Sequence, residues 1–241
     1  MNSCDAVAPS PPDLEATGGR GDVTTYGSVV DPKPSAGGAC NYGATGVLRF
    51  AAIQVSRLPG DLQGQWRDGR LCGQCLRVRA RTAEGWKETV VRIMDKCPDA
   101  HCGVDLGGAP ARDVMGSVPG RYAGEWSFVS CRGQPGVSDG PTRLFVKEGS
   151  NSYWSLIQVR DPAERVVGIQ VRRATAAAGD AWISLAWATE AENFFSVPKE
   201  VLQDSAAYDL RVELSEGVSY TARLPGSTLA VPGELALQEA N

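Results

Sequence analysis

All seven cysteines of the 241-residue chain fall between Cys4 and Cys131, and none follows over the last 110 residues. A chain that concentrates its cross-linking chemistry in one half reads as two physically different units, one stapled and one held by its core alone. Cys4 sits in a polar tail, which leaves Cys40, Cys72, Cys75, Cys97, Cys102 and Cys131 as an even set. Three disulfides are the economical reading, and they imply an oxidising, extracellular compartment and a secreted protein. Zinc is the competing reading, because Cys72-Gly-Gln-Cys75 has ligand spacing, but Cys97 and Cys102 are set too far apart for the usual ribbon and enclose the sole histidine, His101. No metal or other cofactor is therefore expected. Spacing alone leaves all fifteen pairings of six cysteines open, and Cys4 is open between a free thiol, a lipid-modified terminus and an artefact. Met1 to Thr17 has neither a basic start nor an apolar centre, so the expected secretory signal is not visible.

Charge separates the two units further. Residues 1 to 141 hold 15 basic and 15 acidic side chains, whereas 142 to 241 hold 9 and 13. With a net charge of -4 there is no basic excess to meet phosphates, which argues against a nucleic-acid partner. No apolar run reaches the ~20 residues of a membrane span, and a membrane role is not expected. A monomer is.

Residues 1–21 are rich in Pro, Gly, Ala and Ser without periodicity, and read as a disordered lead. From Asp22, short runs rich in Val, Ile, Thr and aromatics recur between Gly and Pro, among them 22–30, 71–81, 87–94, 124–131, 143–148, 154–160, 166–173 and 182–188. Val47 to Ser56 and Ala109 to Met115 read as short helices, too short to cover a parallel sheet. The fold class is all-β, with a first unit over 22–135, a Gly/Pro/Ser linker after Cys131, and a β-sandwich over 141–234.

Two clusters could carry chemistry. In Met94-Asp-Lys-Cys-Pro98 and Cys102-Gly-Val-Asp-Leu106, a bridge between Cys97 and Cys102 would hold Asp95 and Asp105 at one rigid corner. Such a pair can work as acid and base or bond sugar hydroxyls, although an Asp in a turn commonly does no more than satisfy loop amides. Thr24-Thr25-Tyr26-Gly27 adds hydroxyls on the first strand. His101 lies between cysteines read as oxidised, and there is no Gly-x-Ser-x-Gly elbow, so a serine- or cysteine-nucleophile hydrolase is not expected. In the second unit Lys147 to Arg160 places Tyr153 and Trp154 at the mouth of an apolar strand, where alternation turns one ring outward if the other is core. An outward ring offers a flat apolar face to a pyranose; Trp182, Trp187, Phe194 and Phe195 follow nearby, and by default an aromatic in a strand is core.

Together, Thr24-Thr-Tyr-Gly27, Gly37-Gly-Ala-Cys-Asn-Tyr-Gly43, Cys72-Gly-Gln-Cys75, Met94 to Pro98, Gly103-Val-Asp-Leu106 and Phe145 to Arg160 resemble the microbial expansins, in family order and over about Asp22 to Pro232. The resemblance implies a six-stranded double-psi β-barrel followed by an immunoglobulin-like cellulose-binding module, and non-lytic loosening of plant cell walls. It further implies that Thr25, Asp95 and Asp105 line the barrel groove with Tyr26 beside them, and that Lys147, Tyr153 and Trp154 serve the module's aromatic line. The third aromatic of that line falls to Glu192, Phe194 or Trp187, with Phe194 taken as the binding residue. Cystines Cys40–Cys72, Cys75–Cys131 and Cys97–Cys102 are implied too, the last in place of a Tyr that many microbial relatives carry at Cys97. Similar barrels occur in inverting endoglucanases, whose base follows the Thr-Thr-x-Tyr strand. Here Gly27 and Ser28 stand there, with Asp31 as a substitute close in sequence, so a weak endoglucanase and an inert cellulose binder are the alternatives.

Overall fold

The computed structural model describes residues 18–55, 65–99, 101–175, 181–217 and 219–240. The expected lead falls on residues 1–17, outside the described residues, but its last stretch does not stay a lead. The first strand, β1, is Gly19–Thr25, and Arg20 pairs with Glu125 in the barrel wall.

Six strands close the first unit: β1, β2 (Phe50–Gln54), β3 (Cys75–Thr82), β4 (Gly85–Cys97), β5 (Cys102–Leu106) and β6 (Tyr122–Val129), in ring order β1-β5-β2-β4-β3-β6. β1 runs parallel to β5 and β2 parallel to β4; the other pairings are antiparallel. Alternation fills the interior: Val23, Ala51, Ile53, Leu76, Val78, Ala80, Val91, Ile93, Val104 and Leu106 are fully buried. Helix α1 (Gly108–Met115) begins beside Pro110 and buries Ala111, Val114 and Met115 against this core. Phe50-Ala-Ala-Ile-Gln54, expected as part of a helix over 47–56, is instead a strand buried at every position. It lies between β4 and β5, and a short apolar run covered on both faces carries no period to tell the two states apart.

The three cystines join Cys40 to Cys72, Cys75 to Cys131 and Cys97 to Cys102. Cys72 and Cys75, the Cys-x-x-Cys pair, thus fall in two different cystines.

The second unit stacks two five-stranded sheets. One has the order β10 (Ile183–Ser184), β9 (Val166–Arg173), β13 (Ala207–Leu214), β14 (Ser219–Pro225), β16 (Gln238–Glu239). The other runs β11 (Ala186–Trp187), β12 (Phe195–Ser196), β8 (Leu156–Arg160), β7 (Arg143–Val146), β15 (Gly233–Ala236). Leu144, Val146, Ile157, Ile169, Val171, Leu210 and Val212 fill the space between them. The last strand passes the expected end at 234, and the expected strand over 182–188 divides into β10 and β11 in different sheets.

The units meet through polar contacts. Gln158 and Asn193 donate side-chain amides to the Cys40 carbonyl at 2.8 and 3.0 Å, and the buried Arg92 guanidinium bonds the carbonyls of Val137 and Pro162. No described helix is long and apolar enough to cross a membrane.

Candidate functional site: an acidic row on the barrel and an aromatic turn on the sandwich

The strand register assembles the first half of the site. Thr24 pairs with Asp105 across β1–β5, Asp105 with Ala52 across β5–β2, and Ala52 with Asp95 across β2–β4. Their in-chain neighbours Val23, Val104, Leu106, Ala51 and Ile53 point inward, so this row lies on the outer wall. Asp95 joins it because the β2–β4 register shifts between Ala51 and Ala52; without the shift Met94 would face Ala52. Two strand spacings separate the acids' backbones by about 10 Å.

Each acid is held. Thr24 Oγ1 donates to Asp105 Oδ1 at 2.7 Å. Asp95 Oδ1 accepts the backbone N–H groups of Ala39 and Lys96, both at 2.9 Å. The first of these needs Gly38, whose backbone is left-handed (φ +50°) and so close that a Cβ there would stand 2.6 Å from the Asp95 carboxyl carbon. Over Ala52, between the acids, sit the Cys97–Cys102 bridge and the Tyr26 ring, which also meets Phe50 edge-on at 5.7 Å. Burial, then the Asp95 and Asp105 charges, push the Tyr26 phenol far up, so it stays a neutral donor. Burial likewise pushes the Asp105 carboxyl up, against the hydrogen bond from Thr24. At one end Arg121 clamps the loop, bonding Asp22 and Asp99 at 2.7 Å each.

The threonine is corrected by this register. Thr25 was expected in the groove, but Thr25 Oγ1 donates to the Leu106 carbonyl and Thr24 is the residue that reaches Asp105. Adjacent strand residues face opposite ways, and the motif alone does not say which pairs with Asp105. Asp31, the candidate base, has a side chain 73% exposed and paired with Lys33 at 2.8 Å.

The second half lies on the turn between β7 and β8. Asn151 Oδ1 accepts the Tyr153 N–H at 2.9 Å, and Asn151 and Trp154 form an isolated bridge. Because both rings stand on the turn rather than in β8, alternation does not apply, and both point outward: Tyr153 is 71% exposed and Trp154 38%. The Lys147 ammonium stands over the Trp154 ring at 5.9 Å, that of Lys199 over Tyr153 at 4.9 Å, and the indole N–H of Trp154 donates to Glu190.

None of the three candidates completes the line. Phe194, which stands just before β12, is buried with its ring tilted against Phe145, outside the cluster that Phe195 joins between the two sheets. Trp187 is half-buried on Phe195, with the Arg70 guanidinium over it. Glu192 turns to the barrel, pairing with Lys96 at 2.9 Å and accepting the Trp66 indole N–H at 3.4 Å. Sequence reasoning missed Lys96, Trp66 and Glu190, and nothing local marks them. Residues 190–192 thus touch both halves of the site, through Trp154 on one side and Lys96, next to Asp95, on the other.

Searches with family models and among curated proteins find no match. Among solved structures, a point mutant of the Clavibacter michiganensis expansin in complex with cellohexaose is similar with a TM-score of 0.61 and 17% identity, over 92% of this chain and 96% of that one. The apo form of the same expansin gives 0.60 and 19%, with the same coverage. At that identity the likeness is one of fold: the chain has the two-domain architecture of a bacterial expansin.

Proposed function

We propose that the protein is a secreted, expansin-like loosening protein that docks on cellulose and disrupts non-covalent glucan contacts without cutting them. The observation that carries this reading is the apolar wedge between the two acids. Inversion requires a water between acid and base, with carboxyls ~6.5–9.5 Å apart. Here Tyr26 and a cystine are packed over Ala52 between Asp105 and Asp95, and the latter already accepts two backbone N–H groups. Acids so held grip hydroxyls better than they activate water. Thr24, Tyr26, Asp105 and Asp95 then bond a glucan chain along the outer wall, while Tyr153 and Trp154 stack on the surface from which it is lifted, each ring contributing about 1 kcal/mol. That the similar expansin was crystallised with cellohexaose supports a glucan ligand.

Extension of a heat-inactivated plant wall strip, followed alongside reducing-sugar release, tests the reading. Creep without sugar is expected, abolished by Asp105→Ala while cellulose binding persists. Because burial raises the Asp105 pKa, the protonated, donating form gains population as pH falls through that value, and creep rises with it; Asp105→Asn, a permanent donor, keeps more creep than Asp105→Ala and loses the pH dependence. A second reading, a weak inverting glucanase with Asp95 as base, is favoured by the shared row. Sugar release abolished equally by Asp95→Asn and Asp105→Asn would select it; no creep, no sugar and intact binding would select an inert binder.

A further inference from the structure

The wall of the barrel away from the acidic row carries a second pattern. In the ring order β3 lies opposite β5, the strand of Asp105. Its alternate residues Arg77, Arg79 and Arg81 point outward, since Leu76, Val78 and Ala80 between them are fully buried. The middle arginine belongs to a row that runs across four strands in register: Arg20, Glu125, Arg79, Glu88. Arg79 meets Glu125 at 2.9 Å and Arg20 meets it at 3.7 Å, so this row is charge-balanced. The arginines on either side are not. Arg77 faces Ser127 and Val90, and Arg81 faces Trp86; both are exposed, and neither has an ion pair among the described residues. Trp86 is 47% exposed, with the Arg79 guanidinium 5.0 Å from its ring centre. An open groove of about 750 Å³ runs past Arg77, Arg79 and Glu88.

From this pattern we propose that the β3 wall is a binding surface for an acidic polysaccharide, a chain of uronate sugars. The backbones of the two unpaired arginines stand about 13 Å apart along the strand, four residues at ~3.3 Å each. That span is too wide for one small anion and suits a linear polyanion laid along β3, with one carboxylate at each arginine. Trp86 at the Arg81 end adds the element that selects sugar: a half-exposed indole against which the apolar face of a pyranose can stack. Since β3 lies opposite β5, the strand of Asp105, the protein can hold an acidic matrix chain on one side of the barrel and a neutral glucan on the other.

The test is affinity electrophoresis of the whole protein through polygalacturonate, with cellulose pull-down on the same samples. Retention is expected, weakening as salt rises because exposed pairs are screened. Arg77→Glu/Arg81→Glu should weaken it about fivefold to tenfold, the sum of two exposed ion pairs, and Trp86→Ala should weaken it with little change in the salt dependence. Both variants should keep wild-type cellulose binding and thermal unfolding, their side chains being on the outer wall. No retention of the wild type, unchanged retention of the double variant, or equal retention by fully methyl-esterified polygalacturonate would overturn the proposal. So would equal retention by single-stranded RNA, which would leave Trp86 no role in choosing sugar. Loss of cellulose binding by the wild type would instead strike the proposed function and leave this surface standing.

Discussion

In the proposed function the barrel and the sandwich solve the same problem, displaying polar or aromatic groups to a glucan, by opposite means. The barrel closes its sheet and adds three cystines, and its acids are fixed by register, by backbone donors and by a cystine packed beside them. The sandwich has no cysteine and holds its rings on a turn, pinned by one asparagine. The contrast teaches what each chemistry demands. Gripping hydroxyls requires hydrogen-bond geometry, set to a few tenths of an ångström, whereas stacking needs only a flat ring in the open.

Reduction should break the comparison most sharply. In the chain-entropy model, closing loops of separation 56, 32 and 5 contributes about 4, about 4 and about 2 kcal/mol. The total is of the order of a whole domain's stability. Mild reduction is therefore expected to unfold the barrel and abolish creep, while the sandwich keeps its fold and most of its cellulose binding. Hydrogen exchange followed separately in the two units, with and without reductant, reads this directly; equal loss of protection in both would show that the sandwich depends on the barrel.

The contact between the two units is centred on Arg92. Its buried guanidinium bonds Val137 and Pro162 and faces the Asp161 carboxylate at 4.0 Å. Asp161 is also held by Arg143, which reaches Asp139 and Glu234 as well. Arg92→Ala strips donors from two buried carbonyls and leaves an acid facing a hole, a change worth about 3–5 kcal/mol. In calorimetry, a single cooperative transition in the parent should split into two in the variant. If both proteins melt in one step, the units are coupled elsewhere.

How far the sequence made this legible follows from the same contrast. Cysteine distribution, the linker and the strand runs outline both units because they are local signals. Whatever depends on which strands become neighbours is not. Thr24 and Thr25 are equivalent until β1 pairs in parallel with β5, Asp95 enters the row only through a register shift, and Phe50 to Gln54 shows no period because both faces are covered. Phe194 looked available only because nothing local reveals that its ring packs against Phe145, and the Lys96–Glu192 contact joins residues 96 positions apart across the linker.

The smallest expected effect sharpens the comparison from the other side. Residues 142–241 carry 9 basic and 13 acidic side chains, so attraction to an acidic wall cannot come from the module's net charge. If stacking on Tyr153 and Trp154 supplies cellulose affinity, raising salt should change binding to pure cellulose by less than about twofold, since screening acts on charges and leaves apolar contact untouched. Trp154→Ala should weaken it about five- to tenfold, one ring's worth of contact. The lysines over the two rings make this a real test. Were Lys147 and Lys199 the true anchors, binding would fall steeply with salt and Lys147→Gln would cost more than Trp154→Ala. The module would then be working by charge, as the β3 wall of the barrel is proposed to do, and the division of labour between the two units would fail.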